Sequence, residues 1–181
     1  MNKAIFLDRD GVIIKSKIVN HKPFAYKTIN EIKIITGVKK YISLFKKEGW
    51  KVIVITNQPD VKYGHNTFAN VEKINKYLKN FLSIDEFYVC YHGNKDNCKC
   101  RKPKCGLFFK AKKKYDIDFN LSYMIGDRWS DVKAGNSAGC KTFFIDYFYN
   151  EKLAKNYTYK VKSFTEAAKI ILKIKNKNEK Y

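Results

Sequence analysis

A chain of 181 residues, 45% of them hydrophobic and 15% aromatic, is long enough for one domain with a sizeable core and too apolar for a disordered polymer. No apolar run approaches the ~20 residues that cross a bilayer, and the run Ala4-Ile5-Phe6-Leu7 is too short for a secretory leader, so a cytoplasmic location is expected. The net charge is +20, but of 37 basic residues only Arg9, Arg101 and Arg128 carry the planar guanidinium favoured for phosphate and base edges, so the charge reads as solvated lysine surface with nucleic-acid binding a minor alternative.

In chain order, residues 4–7 read as a buried strand running into the turn-forming Asp10-Gly11. Val38, Tyr41, Ile42 and Phe45 recur at helical spacing, with Gly49 as the stop. The β-branched run 52–55 favours a strand, and Phe68, Val71, Ile74, Leu78, Phe81 and Leu82 form a second helical stripe. A short strand is expected at 87–89, a helix at 107–115, and a strand at 123–125 ending at Gly126-Asp127. Ser130 is expected to cap a helix to about 137, followed by a strand at 142–145. Ser163-Phe164-Thr165-Glu166 is a capping box that opens a helix through Ile174. This alternation implies βαβ units: one Rossmann-like α/β domain over 1–175, its parallel sheet covered by helices on both faces, with a polar tail at 176–181. Ligands of such sheets collect beyond the carboxyl ends of the strands.

The polar motifs fall at those ends. Asp8-Arg9-Asp10-Gly11 sets two carboxylates two apart on a turn leaving the first strand. An ionised aspartate attacks phosphorus without a separate base, which makes Asp8 a candidate nucleophile. Asp10 would protonate the leaving alkoxide and then activate water. Taken alone, the motif is equally compatible with a solvated turn. Thr56, at the end of the second strand, can donate to a phosphoryl oxygen or serve as an ordinary cap. In Arg101-Lys102-Pro103, Lys102 could neutralise charge on a transferring phosphoryl group and Arg101 could grip substrate bidentately. Asp127 suits Mg²⁺, which takes one or two carboxylates and keeps several waters. Asp131 could hold a metal-bound water, position Lys102, or simply be a helix first-turn acid.

Five cysteines, an odd number with three crowded together, argue against a disulfide framework. Cys90, His92, Cys98 and Cys100 match a closed tetrahedral Zn²⁺ site. A closed site is structural, and it would stiffen the 90–100 loop that delivers Arg101 and Lys102. Unliganded cysteines beside a surface histidine are the alternative. Cys105 and Cys140 fit no such pattern.

Taken together, Asp-x-Asp, Thr, Lys and Gly-Asp-x-x-x-Asp in this order resemble the haloacid dehalogenase (HAD) superfamily over roughly residues 3–145. The resemblance implies a Mg²⁺-dependent phosphatase without a large cap domain. Asp8 would be the nucleophile and Asp10 the acid/base, with Thr56 and Lys102 on the phosphoryl group. Mg²⁺ would sit on Asp8, the Asp10 carbonyl and Asp127. The Cys-x-His…Cys-x-Cys-Arg-Lys-Pro string, with Asp-Arg-Asp-Gly and Thr-Asn-Gln, is similar to the histidinol-phosphatase-related branch, whose best-known members are D-glycero-D-manno-heptose 1,7-bisphosphate 7-phosphatases. By that likeness Arg9, Asn57, Gln58, Arg101 and Arg128 would contact a small phosphorylated sugar. Separately, a monomer is expected. Segment 13–36 is long and lacks the branch's usual short Gly-Tyr-Val-type loop. Histidinol phosphate, a nucleic-acid 3′-phosphate, and a non-catalytic zinc-stabilised binding module remain alternative readings.

Overall fold

The computed structural model describes residues 1–19 and 22–178. Six strands form one parallel sheet: β1 (Ala4–Leu7), β4 (Lys51–Asn57), β5 (Glu86–Cys90), β6 (Tyr123–Gly126), β7 (Lys141–Ile145) and β8 (Tyr159–Val161), in spatial order β5-β4-β1-β6-β7-β8. The chain builds outward from β1 to β5, then returns to the other side of β1 for β6 to β8. Beside β1 the order reverses, and a crevice opens at the carboxyl ends. Leu7 pairs in register with Val54 on one side and Ile125 on the other, so the residues that follow these three strands emerge together.

Side chains alternate between the two faces of the sheet. Ile5, Leu7, Val52, Val54 and Ile125 pack under α1 (Val38–Lys47), α2 (Phe68–Leu82) and α5 (Phe164–Asn178). Ala4, Phe6, Ile53, Ile55 and Met124 pack under α3 (Gly106–Tyr115) and α4 (Trp129–Ala138). Both faces are covered, which is why the strand sequences read as continuous apolar runs. Among the described residues no helix is long and apolar enough to cross a membrane.

Several elements differ from the sequence expectation. Within 13–36 lies an antiparallel hairpin of β2 (Lys17–Val19) and β3 (Lys22–Phe24), followed by a 3₁₀ turn at Ile29–Glu31. Among the described residues it is the one insertion of note after the first turn, and no large cap stands over the sheet. The edge strand β8 was also not foreseen. Ser130 does not cap α4: the cap position is Arg128, in extended geometry (φ −124°, ψ 153°), and its N–H donates to Asp131 Oδ2 at 3.0 Å. Asp131 therefore satisfies the helix end from inside the first turn, where its charge also faces the positive end of the helix dipole. At α5, Ser163 Oγ accepts from Glu166 N as expected, and Glu166 reaches back to Lys162 N. That helix continues to Asn178, into the predicted polar tail, and residues 179–181 of the tail lie outside the described residues.

Candidate active site

Asp8 leaves β1 with its N–H bonded to the Ile125 carbonyl at 3.1 Å, which fixes the first turn against β6. Asp127, one residue beyond β6, packs against Gly11. Gly11 has φ +86°, and a Cβ there would lie 1.9 Å from Asp127 Oδ2, so only glycine fits. Oxygens of Asp8, Asp127 and Asp131 fall within 4.8 Å of one another, all three residues buried.

Lys102 enters this cluster from the loop before α3. Its Nζ lies 2.8 Å from Asp8 Oδ1, 2.7 Å from Asp131 Oδ1 and 2.6 Å from the Ile55 carbonyl. Burial opposes its charge, but Asp131 and then Asp8 outweigh that and hold the ammonium above its ordinary pKa. Its backbone is clamped from β4: Asn57 Nδ2 donates to the Lys102 carbonyl at 3.0 Å, and Lys102 N–H donates to Asn57 Oδ1 at 3.1 Å. Asn57 thus has both ends of its amide on the Lys102 backbone. Gln58 Nε2 donates to Thr56 Oγ1 and to Asp10 Oδ2, both at 2.8 Å, and so ties β4 to the first turn.

Arg9 is fully buried. Its Nε donates to Asp10 Oδ2 at 3.0 Å and its Nη1 to Asn75 Oδ1 at 3.0 Å, so the guanidinium braces Asp10 from behind. Burial pushes the Asp10 carboxyl up, Arg9 pulls it down, and the Asp8 charge pushes it up again; the balance is a raised pKa. Asp127 is raised well above the usual carboxylate range, by burial first and then by the charges of Asp8 and Asp131. Asp131 is raised to about 6, mainly by burial against the pull of Lys102.

Three buried carboxylates around one ammonium leave an excess of negative charge that a divalent cation would relieve. Asp127 Oδ1 is buried without a hydrogen-bond partner. An all-oxygen donor set of this kind fits a hard cation such as Mg²⁺.

Asp8, Asp10, Lys102, Asp127, Asp131 and Gln58 line a cleft of about 150 Å³, and Pro23 and Phe24 of the hairpin line it too. A neighbouring groove of about 690 Å³ shares Asn57, Lys102 and Arg128 with it and adds Arg101, Lys104 and Trp129. Arg101 Nε donates to Asn94 Oδ1 at 3.0 Å and Nη1 to the His92 carbonyl at 3.2 Å. Arg128 makes a bidentate pair with Glu151.

The Cys90, His92, Cys98 and Cys100 ligand atoms also converge within 4.8 Å, and all the cysteines are free thiols. Cys90 and Cys98 sulfurs are 3.7 Å apart, Cys90 and Cys100 sulfurs 3.3 Å, and His92 Nδ1 is 3.2 Å from Cys100 Sγ. A tetrahedral Zn²⁺ with bonds of about 2.0–2.3 Å needs edges of roughly 3.3–3.8 Å, so the four donors fit that ion. Cys105 and Cys140 stand apart from this group.

Four contributors to the site escaped the sequence reading. Asn75 holds Arg9, Tyr149 OH donates to Asp127 Oδ2 at 2.8 Å, Tyr147 OH donates to the Gly11 carbonyl at 3.1 Å, and Glu151 holds Arg128. For Asn75 a signal was present: it falls on the apolar stripe of α2, four residues after Val71 and three before Leu78. A polar residue in that phase must find a buried partner.

Residues 99–165 match the model of the HAD-hydrolase-like family. The chain is 36% identical to the D-glycero-beta-D-manno-heptose-1,7-bisphosphate 7-phosphatase of Helicobacter pylori (strain ATCC 700392 / 26695) over 147 residues, covering 77% of this chain and 81% of that protein. It is 35% identical to the D-glycero-alpha-D-manno-heptose-1,7-bisphosphate 7-phosphatase of Campylobacter jejuni over 148 residues, covering 79% and 81%. Among solved structures, the D,D-heptose 1,7-bisphosphate phosphatase of B. bronchiseptica complexed with magnesium and phosphate superposes with a TM-score of 0.82 at 25% identity, covering 94% of this chain and 98% of that one. Shared sequence over most of both lengths, with a solved relative of the same fold, makes this chain a phosphatase belonging to the heptose-bisphosphate phosphatase family of HAD-like hydrolases.

Proposed function

We propose that the protein removes the 7-phosphate of D-glycero-D-manno-heptose 1,7-bisphosphate through a phosphorylated Asp8. The observation that carries this reading is the convergence of Asp8, Asp127 and Asp131 around Lys102 at the carboxyl ends of β1 and β6, beside the end of β4.

Asp8 attacks phosphorus, and the bond between phosphorus and the sugar oxygen breaks. Asp10, whose raised pKa favours carrying a proton, gives it to the departing alkoxide. Water then attacks the aspartyl-phosphate while Asp10 takes its proton, and inorganic phosphate leaves. Lys102 offsets charge on the transferring group, and Thr56 donates to one of its oxygens. Gln58 and Arg9 orient Asp10. Mg²⁺, held by Asp8, Asp127 and the Asp10 carbonyl, would reduce the repulsion between two anions. Zn²⁺ on Cys90, His92, Cys98 and Cys100 would fix the loop that ends in Arg101-Lys102.

A bisphosphate needs cationic groups at both ends. The groove holding Arg101, Lys104 and Arg128 opens beside the catalytic cleft and supports a substrate with a second phosphate. Relatives are named for both anomers, so the reading extends to the bisphosphate and not to one anomer.

Phosphate release with Mg²⁺ tests it. Both heptose bisphosphate anomers, histidinol phosphate and a 3′-phosphorylated oligonucleotide are compared. Preference for a heptose bisphosphate, lost in Asp8→Asn, is the expected result; faster turnover of the oligonucleotide or of histidinol phosphate would refute the substrate, and full activity of Asp8→Asn would refute the nucleophile.

A further inference from the structure

Beyond β7 the chain runs back over the site as a strap, residues 146–151. Three of its side chains, each two apart, engage three different pieces of the catalytic machinery. Tyr147 bonds the Gly11 carbonyl of the first turn, Tyr149 bonds Asp127, and Glu151 pairs with Arg128. Phe148, between the two tyrosines, is 81% exposed, and its ring lies under Lys160 Nζ.

At Asp127 the two carboxylate oxygens have different surroundings. Oδ2 receives the Tyr149 hydroxyl at 2.8 Å and lies against the bare Cα of Gly11. Oδ1 is buried and has no partner. A terminal carboxylate torsion is soft and roughly two-fold, so the group's own torsion does little to fix it. A directed hydrogen bond to one oxygen fixes it.

We infer that Tyr149 is a positioning residue for metal binding: its hydroxyl locks Asp127 with Oδ2 occupied and Oδ1 left free for a divalent cation. This rests on the reading of Asp127 as a metal ligand. Removing a group that holds a metal's own ligand typically costs about 10–100-fold in metal affinity or activity.

The test measures Mn²⁺ binding directly, by the electron paramagnetic resonance signal of the free ion, in the full-length wild type, Tyr149→Phe, Phe148→Ala and Asp127→Asn. Thermal unfolding without metal and turnover as a function of Mg²⁺ are recorded alongside. Tyr149→Phe should bind Mn²⁺ about tenfold more weakly, with turnover recovered at saturating Mg²⁺ and an unfolding temperature close to wild type. Phe148→Ala should bind as wild type and Asp127→Asn should not bind. Unchanged binding in Tyr149→Phe, with binding lost in Asp127→Asn, overturns the positioning role while leaving the metal ligand in place. Equal weakening in Phe148→Ala would assign the effect to the strap as a whole and overturn the role of the hydroxyl. Undiminished binding in Asp127→Asn would remove the ligand itself, and the inference with it.

Discussion

Lys102 and Asp131 form an ion pair of 2.7 Å in which each side chain is only 1% exposed. Removing one partner of such a pair leaves a buried charge uncompensated, at a cost of about 3–5 kcal/mol. Lys102→Met should lower stability by about 3 kcal/mol, read from urea unfolding at neutral pH in the presence of a chelator. Because the variant leaves Asp8, Asp127 and Asp131 with no internal cation, Mg²⁺ should stabilise it more than it stabilises the wild type. Equal stabilisation of the two proteins would count against these carboxylates as the metal site. Turnover should fall at least about a hundredfold, since Lys102 faces the charge that develops in the transition state.

Gly11 offers a sharper probe of the same cluster. Gly11→Ala places a methyl 1.9 Å from Asp127 Oδ2, at a φ of +86° that alanine adopts only with strain. The variant should fold but need roughly tenfold or more additional Mg²⁺ for half-maximal turnover, because Asp127 is displaced. A Mg²⁺ dependence identical to wild type would mean that Asp127 does not ligate the ion.

Cys98→Ser should release bound zinc, measurable as metal per chain, and lower the unfolding temperature. Its effect on catalysis should appear as a rise in KM for the bisphosphate greater than the fall in kcat, because Arg101 hangs on the loop through the His92 carbonyl and Asn94. A wild-type protein prepared free of zinc, with unchanged unfolding, would rule out a structural ion there.

Glu86 gives a pH dependence that owes nothing to the catalytic groups. Burial would raise its carboxyl, but hydrogen bonds from Lys114, Lys79 and the Phe87 amide outweigh it and hold the group at about 2. An unfolded glutamate titrates near ~4.3. A depressed folded pKa contributes stability that is full above the unfolded value and is lost as pH falls from there through the folded one. Both lysines are substantially exposed, so solvent screening limits the contribution to at most about 1 kcal/mol. Glu86→Gln should therefore lose a little stability at neutral pH and match wild type only once the pH is well below about 2. A constant difference across that window would show that packing, and not charge, is responsible.

The sheet was readable because its strands are buried on both faces and therefore appear as unbroken apolar runs: residues 4–7, 52–55 and 142–145 fall within β1, β4 and β7. The hairpin and β8 were not readable, since three-residue strands of mixed polarity have no period to detect. Asp8, Asp10, Lys102 and Asp127 stood out because each follows a strand or sits in a short charged motif, and Thr56 because it lies at the end of an apolar strand. Tyr149 and Glu151 did not, because their partners Asp127 and Arg128 lie more than twenty residues away and depend on where a loop lands. Arg9 shows a different limit: its motif marked it for the substrate, and the fold turns its guanidinium toward Asn75 and Asp10.

Pro23 and Phe24 line the cleft, yet they belong to a two-stranded ribbon that, among the described residues, shares no ladder with the six-stranded sheet. The carboxylate cluster and this part of the cleft wall thus lie on different lengths of polypeptide. Substitutions at Pro23 and Phe24 are therefore expected to change the walls of the cleft while leaving Asp8, Lys102, Asp127 and Asp131 in place.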